Sequence, residues 1–372
     1  MASRLWRLNL IGAAVLSACM LITSPPNLPE QRPFPAASVT RSPSPSPLPS
    51  SSPTPTARPE IHLLFTGDIN PGRCPAQKAL ASNDFTVAYR FVAEQLRAAD
   101  ITVVSLDGSL SDLSRPAPCP QTMNLIGPTR TVEGLQFAGV DVVTVAANHA
   151  KNCGDLGWDC DSRAFHDTLQ TLRQAGIAAV GGGENLAAAR APVILERQGI
   201  RFAFLAVSAV GEEMWAEATR PGVAPLTENT LAVVCNDITA ARTQAEVVIV
   251  LPHWGIEYTL QPDERQRRWG EAMVAAGATL VVGNHPHLIQ PLEVLPEGLI
   301  AYALGNFIFD QGPWRTRQGV VLETVFRGAH LDRWQLHPVH IYSLYQPRWT
   351  DEAETQAIVE RVATASAALP PR

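Results

Sequence analysis

The sequence predicts an α/β fold built on a largely parallel sheet with helices on its faces, and three observations carry that reading. Short apolar runs alternate with helical patterns along most of the 372 residues. The phrases Ala138-Gly139-Val140, Ala175-Gly176-Ile177 and Ala276-Gly277-Ala278 each end a helix on a glycine just before the next strand. Polar groups follow the apolar runs directly, at the carboxyl ends of strands where open parallel sheets bind ligands.

The runs at 61–65, 101–106, 142–146, 202–207, 247–251, 279–282 and 299–303 read as buried strands. Helical patterns fall between many of them, at 87–98, 131–138, 162–174, 229–244 and 263–275. The later runs at 320–326 and 334–342 have no helix between them, which predicts an antiparallel portion, and the Ala-, Glu- and Arg-rich stretch after Asp351 predicts a terminal helix. No second linker divides the roughly three hundred residues beyond Glu60, enough for one large domain or two smaller ones. We place the main domain at 61–345 and a helical tail at 346–372.

Ahead of that domain, Arg4 and Arg7 precede an apolar stretch from Leu8 to Val15 that closes on Leu16-Ser17-Ala18-Cys19. This is the layout of a bacterial secretory signal with a lipobox, residues 1–19, and it makes Cys19 the expected lipidated residue. An uncleaved anchor or an ordinary signal peptide is the alternative, but the apolar run is short against the ~20 residues a spanning helix needs. The expected address is therefore extracytoplasmic, lipid-anchored to the bacterial cell membrane. Residues 20–60 form a Pro/Ser/Thr-rich tether, densest at Arg41-Ser-Pro-Ser-Pro-Ser-Pro-Leu-Pro, with too little apolar surface to offset its ordering entropy. The formal charge is −6, and removing a signal that carries two arginines and no acids leaves −8. That balance argues against a general nucleic-acid or anionic-membrane binder.

Six cysteines are present. An exported protein oxidises thiols, and Cys153 and Cys160, bracketing a Gly-rich loop, are the first disulfide candidate. Cys74 and Cys119, each beside a proline and shortly after a candidate ligand, are the second. Cys235 is left over, expected buried and inert. A zinc–cysteine site is the rival reading, without a C-x-x-C pair to support it.

The chemistry gathers at strand ends. Asp68 in Thr66-Gly67-Asp68 and Asp107 in Leu106-Asp107-Gly108 offer carboxylates, with glycines that let the backbone bend close. Asn148-His149 follows the third run, Asn148 offering a carbonyl ligand and His149 a general acid or polarising group. His253 follows the run at 247–251, beside Trp254, which either stacks on a substrate or packs the rim. His285 and His287 close the set in Gly283-Asn284-His285-Pro286-His287. Taken singly, each is as consistent with a turn or a capping bond. Together, Asp68, Asp107, Asn148, His253, His285 and His287 form a mixed N/O set suited to Zn, Mn or Fe, one ion or two, and to hydrolysis. Glu257 and Tyr258 either contact a substrate or brace their loop. Asn306 ends a strand at the same edge, where it would bind substrate or support the ligands. Arg73 is placed to pair with an anionic substrate or with Asp112, and Arg265, Arg267 and Arg268 read as the solvated face of a helix.

The order Asp, Asp, Asn-His, His, His-x-His is that of calcineurin-like metallophosphoesterases. The surrounding words are more particular: Phe65-Thr66-Gly67-Asp68-Ile69-Asn70-Pro71-Gly72-Arg73, Ala147-Asn148-His149-Ala150 with Gly154, His253-Trp254-Gly255-Ile256-Glu257-Tyr258 with Pro262 and Gln266, Gly283-Asn284-His285-Pro286-His287, and Tyr302-Ala303-Leu304-Gly305-Asn306-Phe307. From about Ile61 to Phe309 the chain resembles the CapA family of poly-γ-glutamate capsule proteins. The resemblance implies a four-layer α-β-β-α sandwich in a cell-surface protein tied to synthesis, export or anchoring of that polymer. It also implies an anionic polymer and membrane synthase subunits as partners. Two departures stand out: Ser105-Leu106-Asp107 replaces the usual Asn-Leu-Glu, and Asn70 stands where phosphoesterases carry a histidine. The leading expectation is a metal-dependent hydrolase or transferase with His149 as acid. A non-catalytic polymer-binding or assembly component and a phosphoesterase of another substrate are the alternatives.

Overall fold

The structure is a computed structural model that describes residues 60–119, 123–157 and 160–371. The signal segment, Cys19 and the tether up to residue 59 lie outside the described residues.

Two sheets form the frame. In the first, the strands run in the spatial order Gln346–Trp349, His330–Tyr342, Gln318–Arg327, Glu60–Ile69, Ile101–Leu106, Val142–Thr144, Ala178–Val180. The last four are mutually parallel, and the three late strands add on antiparallel, two of them, Gln318–Arg327 and His330–Tyr342, as the missing crossover helix predicted. A short strand, Asn306–Ile308, lies parallel beside the end of Glu60–Ile69 and sets Asn306 opposite Asp68. In the second sheet the order is Leu292–Leu295, Gly298–Ala301, Leu280–Val282, Val247–His253, Ile200–Ser208, Val193–Arg197, with four parallel strands flanked by an antiparallel strand at each edge.

The period of two along the second sheet explains the layering. Phe202, Phe204, Val247, Ile249 and Leu251 share a core with Leu63, Phe65, Val103 and Phe326 of the first sheet. Phe202 meets Phe326 edge to face with centroids 5.4 Å apart. The intervening residues Ala203, Leu205, Val207, Val248 and Val250 form a second core with Val234, Ile238, Trp269 and Met273 of the helices Leu231–Arg242 and Glu264–Ala275. Leu96, Leu135, Phe165 and Leu172, from the helices Ala93–Ala98, Val132–Phe137 and Arg163–Gln174, pack with the first sheet. The result is the expected α-β-β-α sandwich. Among the described residues no helix is long and apolar enough to cross a membrane.

Several elements differ from expectation. The pattern at 87–98 becomes a helix only from Ala93, because the preceding turns close on i+3 bonds that bury Val87, Tyr89 and Val92. The helix Arg73–Ser82 carries Pro75 and no apolar stripe, so nothing announced it; a proline is tolerated in a first turn. Arg267 is buried, bonding Glu293 and the carbonyl of Pro370, rather than solvated. The chain beyond residue 345 continues the first sheet, and the helix Glu352–Ala367 buries Ile358 and Val362 in its core. Cys74 is joined to Cys119 and Cys153 to Cys160, whereas Cys235 is only half-buried.

Gly67 decides how closely the two strands of the site approach. A Cβ there would stand 2.1 Å from the Gly305 carbonyl oxygen, the acceptor of the Asp68 backbone N–H. Gly67→Ala should therefore lower stability by about 2 kcal/mol or more, read as a fall of several degrees in Tm. Gly312→Ala, with nothing within 4 Å of its Cβ, should leave Tm unchanged, and equal effects would contradict this packing account.

Candidate metal centre

Asp68 lies at the end of its strand and is fully buried. Ser105 Oγ donates to its Oδ1 at 2.8 Å and the His285 backbone N–H to its Oδ2 at 3.0 Å. His253 Nδ1 stands 4.0 Å from Oδ1 and His287 Nδ1 3.7 Å from Oδ2. His253 Nε2 in turn lies 2.7 Å from Asn148 Oδ1 and 3.1 Å from His285 Nδ1. Asp68, Asn148, His253, His285 and His287, brought by four different strand ends, thus form one continuous cluster at the seam of the two sheets. The backbone is forced to reach it: His285 has φ 102° and His287 φ 57°, conformations non-glycine residues hold only where the surroundings impose them.

Asn306 supports the cluster from behind. Its amide NH2 is committed to Gln311 Oε1 at 3.0 Å and Thr316 O at 2.8 Å, which turns its Oδ1 toward His287 Nδ1, 2.9 Å away. That bond places the His287 proton on Nδ1 and leaves the Nε2 lone pair for a ligand.

Asp107 is buried at the end of the neighbouring strand, and neither carboxylate oxygen completes a hydrogen bond of ordinary geometry, although the His149 amide is turned toward it. Asn284 Oδ1 and His253 Nδ1 are buried and unbonded in the same way. Desolvated acceptors this dense are costly, and burial with the neighbouring Asp107 charge raises Asp68 well above the carboxylate range. Burial also raises Asp107, against the Arg73 guanidinium and with Glu257. Burial lowers His253 well below its ordinary value, His285 to about 4 and His287 to about 3. The imidazoles are therefore neutral, the form that ligates.

Carboxylates, carbonyl oxygens and neutral imidazoles fit a divalent ion of the Zn, Mn or Fe type. The candidate ligands are gathered rather than closed: among the described residues no three His, Cys, Asp or Glu side chains already surround one point, and His253 bonds both Asn148 and His285.

His149 is buried beside this cluster. Burial, then the Arg73 charge, lowers it to about 4, with Glu257 and Glu213 opposing. It is neutral at pH 7, so it suits a proton acceptor or hydrogen-bonding group better than the standing acid the sequence suggested.

Arg73 does not reach Asp112, whose carboxylate accepts from Thr129. Its guanidinium pairs with buried Asp310 and lies over the Phe309 ring at 5.4 Å. Asn70 is no ligand either: its Nδ2 donates to Asp310 at 3.1 Å and its Oδ1 accepts the Gly72 N–H at 2.9 Å. Trp254 is fully buried with Nε1 on the Tyr302 carbonyl, which excludes stacking on a substrate. Glu257 and Tyr258 are exposed on the rim, Tyr258 with its hydroxyl accepting from Gln311 Nε2 at 3.1 Å and its ring 5.9 Å from that of His287. Ser105, Asp310 and Gln311 were not singled out in the sequence. The signal lay in Phe309-Asp310-Gln311 directly after the strand Asn306–Ile308, the same strand-end rule that found the ligands.

The chain belongs to the family of bacterial capsule synthesis proteins PGA_cap, whose profile matches residues 62–311. It is 29% identical over 280 residues to the PGA biosynthesis protein CapA of Bacillus subtilis, covering 75% of this chain and 71% of that one. It is 29% identical over 271 residues to the capsule biosynthesis protein CapA of Bacillus anthracis, covering 71% and 63%. Among solved structures, a putative 5'-nucleotidase from Staphylococcus aureus aligns over 82% of this chain and 58% of its own, with a TM-score of 0.45 and 13% identity.

The raised carboxylates set a pH dependence. A group whose folded pKa lies above its unfolded value stabilises the fold at low pH and loses that contribution as pH rises through the folded value. Without metal, the raised carboxylates withdraw stability as pH climbs from about 4, the ordinary carboxylate value, while the lowered imidazoles of His149, His253, His285 and His287 add stability over the same range. Asp107→Asn removes one of the withdrawing groups, so it should make the stability of the metal-free protein climb more steeply with pH and raise its neutral-pH Tm while weakening metal binding. Denaturation across pH checks this, and an unchanged slope in the variant would refute the assignment of Asp107.

Proposed function

We propose that this protein is a lipid-anchored, extracytoplasmic component of poly-γ-glutamate capsule biosynthesis that acts as a metal-dependent hydrolase or transferase on that polymer or a related anionic one. The observation that carries the reading is the convergence of three neutral imidazoles and Asp68 at one buried seam, beside the unbonded carboxylate of Asp107. Asp68, Asp107, Asn148, His253, His285 and His287 would hold the metal, one ion or two. Such an ion supplies Lewis acidity, polarising a scissile carbonyl or phosphoryl group and acidifying a water molecule. His149, held neutral, takes a proton from the attacking group and returns it to the leaving group. Arg73 adds fixed positive charge close to Asp107, His149 and His287. Tyr258 offers a hydroxyl to a substrate carboxylate, while Glu257, being anionic, suits an amide N–H instead. Membrane synthase subunits are the expected partners at the cell surface.

A second reading, polymer binding without turnover, draws on the mutual bonding of His253, His285 and Asn148 and on the commitment of Asn70 to Asp310.

Release of glutamate or short peptides from poly-γ-glutamate, abolished by a chelator and restored by metal, separates the two. Turnover of a generic phosphodiester alone would indicate a phosphoesterase instead. His287→Ala should reduce turnover by on the order of 100-fold or more, and full retention would overturn the site. Cys19→Ala should shift the protein from the membrane fraction to the soluble extracytoplasmic one; unchanged fractionation would rule out the lipid anchor.

A further inference from the structure

In a protein of net charge −6, arginines mostly find carboxylates: Arg90, Arg130, Arg190, Arg197, Arg201, Arg220, Arg268, Arg327 and Arg333 each form an ion pair. Four that form none with a described residue lie together. Arg317 stands over the Trp314 ring at 5.4 Å, and that ring lies 4.4 Å from His340. His340 lies 4.9 Å from Tyr342, and Arg348 covers both Tyr342 at 5.0 Å and Phe91 at 4.1 Å. Arg361 donates to Gln318 Oε1 at 3.1 Å, one strand from His340. Burial and then the Arg315 charge lower Arg361 below its ordinary value, with Glu354 opposing, so the two cations lie close to each other. The acid in their midst, Glu354, is held by His340 and Gln318.

The aromatic members are exposed: Trp314 by 56%, Phe91 by 49% and Tyr342 by 46%. Guanidinium groups stacked on exposed rings are pre-organised at little entropic cost to receive carboxylates in bidentate fashion. The strip also joins the metal centre. Trp314–Arg317 is one turn of 3-10 helix, and the carbonyl of its Thr316 accepts from Asn306, which positions His287.

We propose that Arg315, Arg317, Arg348 and Arg361, with Trp314 and Tyr342, form a docking strip for a polycarboxylate chain that leads to the metal centre. This deepens the reading of the site given above and rests on it only for the identity of the polymer. Free glutamate engages one arginine at a time, whereas a chain engages several, so affinity should grow with chain length and fall with salt as exposed charges are screened.

The test uses the whole mature protein carrying His287→Ala, so that turnover and binding are read separately. Calorimetry with long poly-γ-glutamate should show salt-sensitive binding, and the added triple change Arg315→Ser, Arg317→Ser, Arg348→Ser should weaken it at least tenfold. Arg173→Ser with Arg242→Ser, removing exposed arginines elsewhere, should not. Equal weakening by both sets would reduce the effect to net charge and overturn the strip. So would undiminished polymer binding by the triple variant, or loss of binding to anionic phospholipid vesicles with polymer binding intact. Absence of turnover in the parent protein with binding preserved would defeat the enzymatic reading and leave the strip standing.

Discussion

Everything in this molecule is arranged around a carboxylate that water cannot reach. Asp68 is fully buried between two sheets; its two oxygens accept from a serine hydroxyl and a backbone amide, and two imidazoles of the opposite sheet stand 4.0 and 3.7 Å away. A buried carboxyl group needs such partners, and here they come from elements far apart in sequence. The sandwich must therefore be assembled before the cluster exists. The glycine at 67, the left-handed backbone at His285 and His287, and the amide of Asn306 all serve that approach.

The compensation is incomplete, and that points to function. Asp107 keeps two desolvated oxygens, and His253 Nδ1 and Asn284 Oδ1 are left without bonds in the same region. A domain selected for stability alone would have filled these positions with apolar side chains. A divalent cation is the kind of partner such acceptors suit, and this is the ground of the proposed metal site.

Much of this was legible in the sequence because one rule, ligands at the carboxyl ends of parallel strands, governs both fold and site. Asp68, Asn148, His253, His285 and His287 followed from it directly. Arg73 and Asn70 did not, because their partner Asp310 lies some 240 positions away along the chain and only the folded protein shows the pair. The proton state of His149 depends on burial and on Arg73, and neither can be read from its neighbours in sequence. Net charge misled in another way: a total of −6 hid the arginines around Trp314 that form no ion pair with a described residue, since a sum carries no position. The antiparallel late strands were legible from missing crossover helices, whereas the short strands Ala178–Val180 and Asn306–Ile308 gave too few residues to show a period.

Completion of the cluster by a divalent ion is the central expectation for this protein. Titration of the metal-free protein with Zn or Mn, followed by calorimetry and by Tm, tests it most directly. We expect saturable binding of one or two ions per chain and a Tm that climbs with free metal concentration as linkage requires, with both effects lost in His287→Ala. A Tm indifferent to metal, or identical binding by that variant, would contradict it.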